Sequence, residues 1–261
     1  TRNIRYSWSL VFYLMAGLFI GLWLYHHWAL PKPAEDGEKS KKTAREIIAE
    51  FKQTVVTFFQ KPQVWAGICF MLFYRMPEGL LAKVSALFLV DAHHNGGLGL
   101  SDGEYGLVQG TVGVIGLTLG GILGGIAASR HGLKKWLWPM VLAITLPDLV
   151  YVYLSYVMPS NLLTVNVCVF IEQFGYGFGF SAYMLYLIYY SQGDHKTSHY
   201  ALCTAFMALS MMIPGMFAGA LQEAVGYQAF FFIVIAACSL TYIVTAFLRI
   251  DPEFGKKKVE E

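Results

Sequence analysis

The sequence predicts an all-α fold, a polytopic membrane helix bundle with seven transmembrane helices, and three observations lead there. The chain is 56% hydrophobic and only 14% charged, against about a quarter charged in soluble domains, and its mean hydropathy is +0.50. Seven apolar stretches, 8–30, 63–90, 105–128, 136–157, 162–190, 200–222 and 227–248, reach the length of about 20 residues that a helix needs to cross the hydrocarbon. Their apolar runs are continuous rather than alternating, which excludes an outer-membrane barrel.

Lysine and arginine in the connections orient the bundle. Alternate connections hold seven of them in 31–62, three in 129–135, one in 191–199 and four in the tail from Arg249 to Lys258; the opposite connections 91–104, 158–161 and 223–226 hold none. Only Arg2 and Arg5 dissent. The tail is therefore expected in the cytoplasm and Thr1 outside. A chain that starts outside and enters a span almost at once is expected to be part of something longer. The first span lacks the charged region and cleavage site of a signal peptide. The net charge of +2 is explained by this topology, so no nucleic-acid partner is expected; membrane lipid is.

Within 31–62, Pro31 to Lys42 reads as a flexible linker. Thr43 and Glu46 then form a capping-box pattern, followed by an apolar stripe of Ala44, Ile47, Ile48, Phe51, Val55, Phe58 and Phe59 at helical spacing. An amphipathic helix over 43–60 follows, lying on the membrane surface or under the bundle. Pro62 separates it from the second span. The third span carries Gly106, Gly110, Gly113, Gly116, Gly120, Gly121, Gly124 and Gly125, a small-residue pattern that serves static packing or a sliding contact equally well. In the fifth span Gly175, Gly177 and Gly179 mark a deformable stretch beside Glu172. Pro147 and Pro214-Gly215 are candidate kinks.

Charges inside the spans are the functional candidates, because an ionised group near the bilayer centre costs roughly 3 kcal/mol even on the lenient insertion scale. Arg75, Glu78 and Lys83 lie within nine residues of the second span. Arg75 and Glu78 are i, i+3 neighbours, with Pro77 between them able to disturb the geometry. Helical rise puts Arg75, Glu172 and Asp148 near mid-depth, where transport sites gather. The guanidinium favours an ionised Glu78 as a fixed charge. Glu172 has no cation in its own span, so it is the better proton carrier. Lys83 is placed to receive an anionic group or to reach the outer surface. Gln173 and Tyr176 accompany Glu172; Tyr183, Tyr186 and Tyr190 share or neighbour its face. Asp148 ranks lower, since it follows Pro147. The four cysteines, Cys69, Cys168, Cys203 and Cys238, read as buried structural thiols. His195 and His199 have a metal-compatible spacing without a third ligand, so they and His93-His94 read as solvated loop residues. No metal and no cofactor is expected, and nothing marks the chain as an enzyme.

Gly125-Ile-Ala-Ala-Ser129-Arg130-His-Gly132-Leu-Lys134-Lys135 resembles the loop signature of the major facilitator superfamily, with Ser129 where that signature has Asp and Leu133 where it has a basic residue. Phe73-Tyr-Arg75-Met-Pro-Glu78-Gly, Asn95 to Gly106 and His199-Tyr-Ala-Leu-Cys-Thr-Ala205 resemble the AmpG-type muropeptide permeases. The resemblance implies spans 6–12 of a twelve-span transporter: the carboxy-terminal half of the fold plus the preceding span. Residues 1–30 are then the last span of the amino-terminal half, 31–62 the central cytoplasmic linker, 63–249 the six-helix transport domain and 250–261 the cytoplasmic tail.

What this resemblance implies functionally is a proton-coupled permease of a bacterial inner membrane, importing muropeptide-like or amino-sugar solutes by alternating access. Arg75, Glu78, Lys83, Gln173 and Tyr176 would bind substrate, Glu172 would carry the proton, and Gly125, Arg130, Gly132, Lys134 and Lys135 would form the conformational motif. Its partners would be the amino-terminal half, a small-molecule substrate and protons. A retinal protein is disfavoured because 227–248 contains no lysine. A receptor lacks its acidic-Arg-Tyr motif at Ser129-Arg130-His131, and no clustered constellation supports a membrane enzyme. A different cargo, or a non-transporting signalling or assembly protein on the same scaffold, remains the alternative.

Overall fold

The computed structural model describes residues 4–30 and 43–256. Arg2, the linker Pro31–Lys42 and the tail residues Lys257 and Lys258, on which expectations were placed above, lie outside the described residues. Every regular element described is helical. The chain divides into two compact units, residues 1–50 and 51–261.

In the first unit, α1 (Ile4–Ala29) is a continuous apolar helix, and α2 (Ala44–Phe59) begins as expected, with Glu46 accepting the Thr43 N–H at 2.7 Å. In the second, the end of α2 packs against the bundle. Only part of its expected stripe is covered: Phe58 is buried and Val55 half-buried, while Phe51 and Phe59 are exposed, and Thr54, outside the stripe, is buried beside them.

Five helices among the described residues are long and apolar enough to cross a membrane. The expected second span is not one of them, because it is two helices, α3 (Val64–Phe73) and α4 (Met76–Val90). Arg75 breaks the run at φ −104°, ψ 6°, since Pro77 clashes with a continuing helix and lacks a donor for it. The third expected span is α5 (Asp102–Tyr105), a π-helical stretch Gly106–Gly113 and α6 (Val114–His131). A capping box of Ser101 and Glu104 starts it. The fourth is α7 (Leu133–Thr145) and α8 (Leu149–Val157), joined by a 3₁₀ turn at Leu146–Asp148 that contains Pro147, the expected kink. Next comes α9 (Leu162–Ser191). The last two expected spans run together as α10 (Lys196–Ala246), whose backbone leaves the helical region at Gly226, φ 77°.

Glycine sets how closely these helices approach. A Cβ on Gly120 would stand 2.1 Å from the Phe174 carbonyl oxygen, and one on Gly177 would stand 2.2 Å from that of Leu117, so α6 and α9 touch backbone to backbone. Gly175 and Gly179 bring α9 equally close to α7. At the expected deformable stretch Gly175–Gly179, α9 is a continuous helix, and its glycines admit the backbones of its neighbours. Of the expected repeats on the third span, Gly116, Gly120 and Gly124 meet α9, whereas Gly106, Gly110 and Gly125 meet nothing within 4 Å.

The packed side chains form two apolar cores. One gathers Phe70, Met71, Tyr74, Ile144, Tyr183 and their neighbours; the other gathers Leu80, Phe88, Tyr151, Val169 and Phe231. Along α4, the 3₁₀ turn and α9, the chain passes from one core to the other at Glu78, Asp148 and Glu172. The polar layer of the bundle lies between them.

Candidate functional site

Glu78 comes from the first turn of α4, Asp148 from the 3₁₀ turn beside Pro147, and Glu172 from the middle of α9. They are 6%, 3% and 2% exposed. One carboxylate oxygen from each lies within 4.8 Å of the others, a spacing that would also suit a bound cation. At an effective dielectric constant near 20, two full charges at that separation repel by about 3.5 kcal/mol. Three ionised carboxylates here therefore require a proton or a cation among them.

The partners of this cluster are few. Gln173 donates its amide to both oxygens of Glu172, at 3.2 and 3.0 Å. The Cys238 thiol, from α10, donates to Asp148 at 3.5 Å. Glu78 Oε2 and the Tyr151 hydroxyl are buried without a hydrogen-bond partner. Such atoms cost free energy in a dry interior unless a water, an ion or a substrate meets them.

Arg75 behaves differently from the expected ion pair with Glu78. Its guanidinium donates to the Tyr176 hydroxyl and lies over an aromatic wall of α9, with the guanidinium carbon 4.5 Å from the Phe180 ring centre and 5.8 Å from that of Tyr183. Its Nε is buried and unpartnered. The break at Arg75 replaces the i, i+3 geometry that a straight helix would have imposed, and the ring faces satisfy the cation instead. Lys83 joins neither group: its side chain is exposed on α4 and runs beside Gly215.

Tyr183 donates to the Met71 carbonyl at 2.6 Å and Tyr74 to that of Gly179 at 2.9 Å, tying α3 to α9. Tyr186 and Tyr190 are buried in the same core. Asp148, ranked low on sequence, is a full member of the cluster. A signal was available in its depth, but only the fold shows that α7 and α8 bend at Pro147 to aim it inward.

Two other expectations are corrected. His199 is buried rather than solvated, with Nε2 3.2 Å from both the Thr57 hydroxyl and the Thr54 carbonyl, so it anchors α2. Cys69 is exposed; Cys168, Cys203 and Cys238 are buried, and all four are free thiols.

In the loop motif, Gly132 adopts φ 84° and its N–H closes α6 on the Ala128 carbonyl at 2.8 Å. Leu133, buried, donates its N–H to Phe254 of the tail at 3.0 Å. Gly125, Arg130, Lys134 and Lys135 are exposed around it.

Residues 76–261, from the first residue of α4 onward, match the family model of the Major Facilitator Superfamily. The chain belongs to that superfamily, a class of membrane transporters. Among individual proteins, it is 25% identical over 231 residues to the anhydromuropeptide permease of Escherichia coli strain K12, which covers 88% of this chain and 45% of the permease. It is 24% identical over 199 residues to the putative transporter AmpG 4 of Rickettsia conorii, covering 76% of this chain and 45% of that protein. A Haemophilus influenzae protein of uncharacterized function is 23% identical over 240 residues, covering 87% of this chain and 53% of its own length. The chain spans about half the length of the relatives it matches.

Proposed function

We propose that the chain supplies the carboxy-terminal transport half, and the span before it, of a proton-coupled secondary transporter of a bacterial inner membrane. In this reading the chain crosses the bilayer seven times with its tail in the cytoplasm. Its cargo is a muropeptide-like or amino-sugar solute, as the names of the permease relatives suggest, carried by alternating access. The observation that carries the reading is the buried meeting of Glu78, Asp148 and Glu172 within 4.8 Å. Such a cluster relieves its own repulsion by taking up a proton, and it releases that proton when the packing around it changes.

Glu172 is the carrier and Gln173 orients it; Arg75, held on the rings of α9, offers a substrate its free Nε. Glu78 and Tyr176 complete this face, and Lys83 approaches substrate on entry. The loop motif Gly125, Arg130, Gly132, Lys134 and Lys135 acts in the conformational cycle, with the tail docked against it.

The test is pH-gradient-driven uptake of labelled anhydro-muropeptide into proteoliposomes carrying this chain together with its amino-terminal half. Uptake lost in Glu172→Gln supports the reading. Full uptake in that variant removes Glu172 as carrier, and no uptake by the folded, associated wild-type halves removes this cargo.

A further inference from the structure

Three hollows meet at Arg249, at the end of the bundle that carries the basic connections. One is an apolar groove of about 660 Å³ between α3 and the end of α10, walled by Trp65, Cys69, Phe73, Leu240 and Phe247. The second, of about 260 Å³, is polar and holds Lys61 with Gln63 and Gln192. It shares Gln63 and Arg249 with the groove. A third, of about 420 Å³, is lined by Lys134 and Arg249.

The dimensions match one leaflet. From Gln63 to Phe73 the groove follows ten residues of helix, about 15 Å at helical rise, half of a hydrocarbon core of about 30 Å. Trp65, in the wall, suits the membrane–water boundary at which this end of the groove would lie. The charges match an anion. Among the described residues the Arg249 guanidinium has no hydrogen-bond or ion-pair partner; its main-chain N–H is held by Gln63 at 3.2 Å. The acid nearest in sequence, Asp251, turns its carboxylate to the Glu253 N–H at 2.9 Å. Lys61 donates to the Tyr190 and Gln192 carbonyls at 2.7 and 2.6 Å, which leaves one of its three N–H donors. Partial burial holds its pKa below the ordinary lysine value, and a neighbouring anion opposes that shift.

We propose that this junction is a binding site for an anionic phospholipid, with its phosphate between Arg249 and Lys61 and its acyl chains in the groove between α3 and α10. A headgroup pocket with two cations opening into an apolar trough one leaflet deep fits an amphiphile, and neither hollow alone would. The polar hollow explains the preference for negative charge, and the trough explains why a soluble anion is a poor substitute.

Native mass spectrometry of the full chain, released from detergent after titration with phosphatidylglycerol, phosphatidylcholine or inorganic phosphate, tests it. Phosphatidylglycerol is expected to remain bound at concentrations about tenfold lower than phosphatidylcholine, because both carry the phosphate but the choline cation of the latter neutralises the headgroup and stands against Arg249 and Lys61. Arg249→Gln is expected to erase that preference, Arg249→Lys to keep most of it, and Ala66→Trp, which fills the trough, to weaken both lipids. Circular dichroism of each variant separates lost binding from lost folding. Equal retention of the two lipids, or a preference unchanged in Arg249→Gln, overturns the proposal. So does retention of inorganic phosphate as strong as that of the lipid, which would make the hollow an anion site without a trough. Loss of the lipid when the amino-terminal half is bound would show that protein occupies the groove, and would overturn it equally.

Discussion

Asp148 and Cys238 illustrate how much of this site is set by single atoms. Cys238 offers Asp148 a weak thiol donor at 3.5 Å, and no cation pairs with it among the described residues, so the carboxylate depends on a proton or an ion. On the proposed mechanism, Asp148→Asn is expected to lose pH-driven accumulation while retaining exchange of substrate between the two faces, because exchange needs no net proton release. Counterflow and accumulation assays in proteoliposomes separate the two, and unchanged accumulation would remove Asp148 from the cycle. Arg75 is the second such case. Lysine keeps the charge but not the flat face that lies on Phe180 and Tyr176. A cation–π contact that is partly desolvated contributes up to about 2 kcal/mol. Arg75→Lys is therefore expected to raise the apparent KM about tenfold with a smaller change in kcat, and an unchanged KM would assign Arg75 to structure alone.

Among the elements, α6 and α9 meet backbone to backbone, and the glycines between them have no room to grow. Gly120→Ala places a methyl against the Phe174 carbonyl, an overpacking that costs about 1–3 kcal/mol. It should lower the melting temperature in detergent by several degrees, while Gly125→Ala, with nothing within 4 Å, should leave it almost unchanged. Equal melting of the two variants would mean that the α6–α9 contact yields freely, as a sliding interface would. The end of α2 is a smaller element with a different support. Phe58 is fully buried against Tyr190, His199 and Phe206, so Phe58→Ala should cost about 3–5 kcal/mol of that docking. Faster hydrogen exchange over residues 51–60, with the bundle still protected, is the expected readout. Protection lost throughout would mean that α2 is a part of the core rather than an appendage.

For the whole molecule, half-length relative to its relatives has a functional consequence. On the proposed function, alternating access requires two bodies around one site, and this chain supplies one of them. The chain alone is expected to show no net uptake in liposomes, and co-expression with its amino-terminal half is expected to restore it. Uptake by the chain alone would require a second copy to take the place of the missing half.

Composition and local order in the sequence determined the membrane class, the helical content and the family. Hydropathy and helical rise act residue by residue along one segment, so they can be read without knowing what packs where. The same locality explains the errors. Proline at 77 announced a disturbance, but only packing showed that the break turns Arg75 onto the rings of α9 instead of onto Glu78. Glycines at 175, 177 and 179 have one composition whether they bend a helix or admit a neighbour, and only the fold shows that they admit the backbones of α7 and α6. Asp148 met Glu78 and Glu172, and His199 met Thr54, across separations in sequence that no local pattern encodes. The tertiary structure decided which charges share a site, because their interaction falls with distance through space and is blind to distance along the chain.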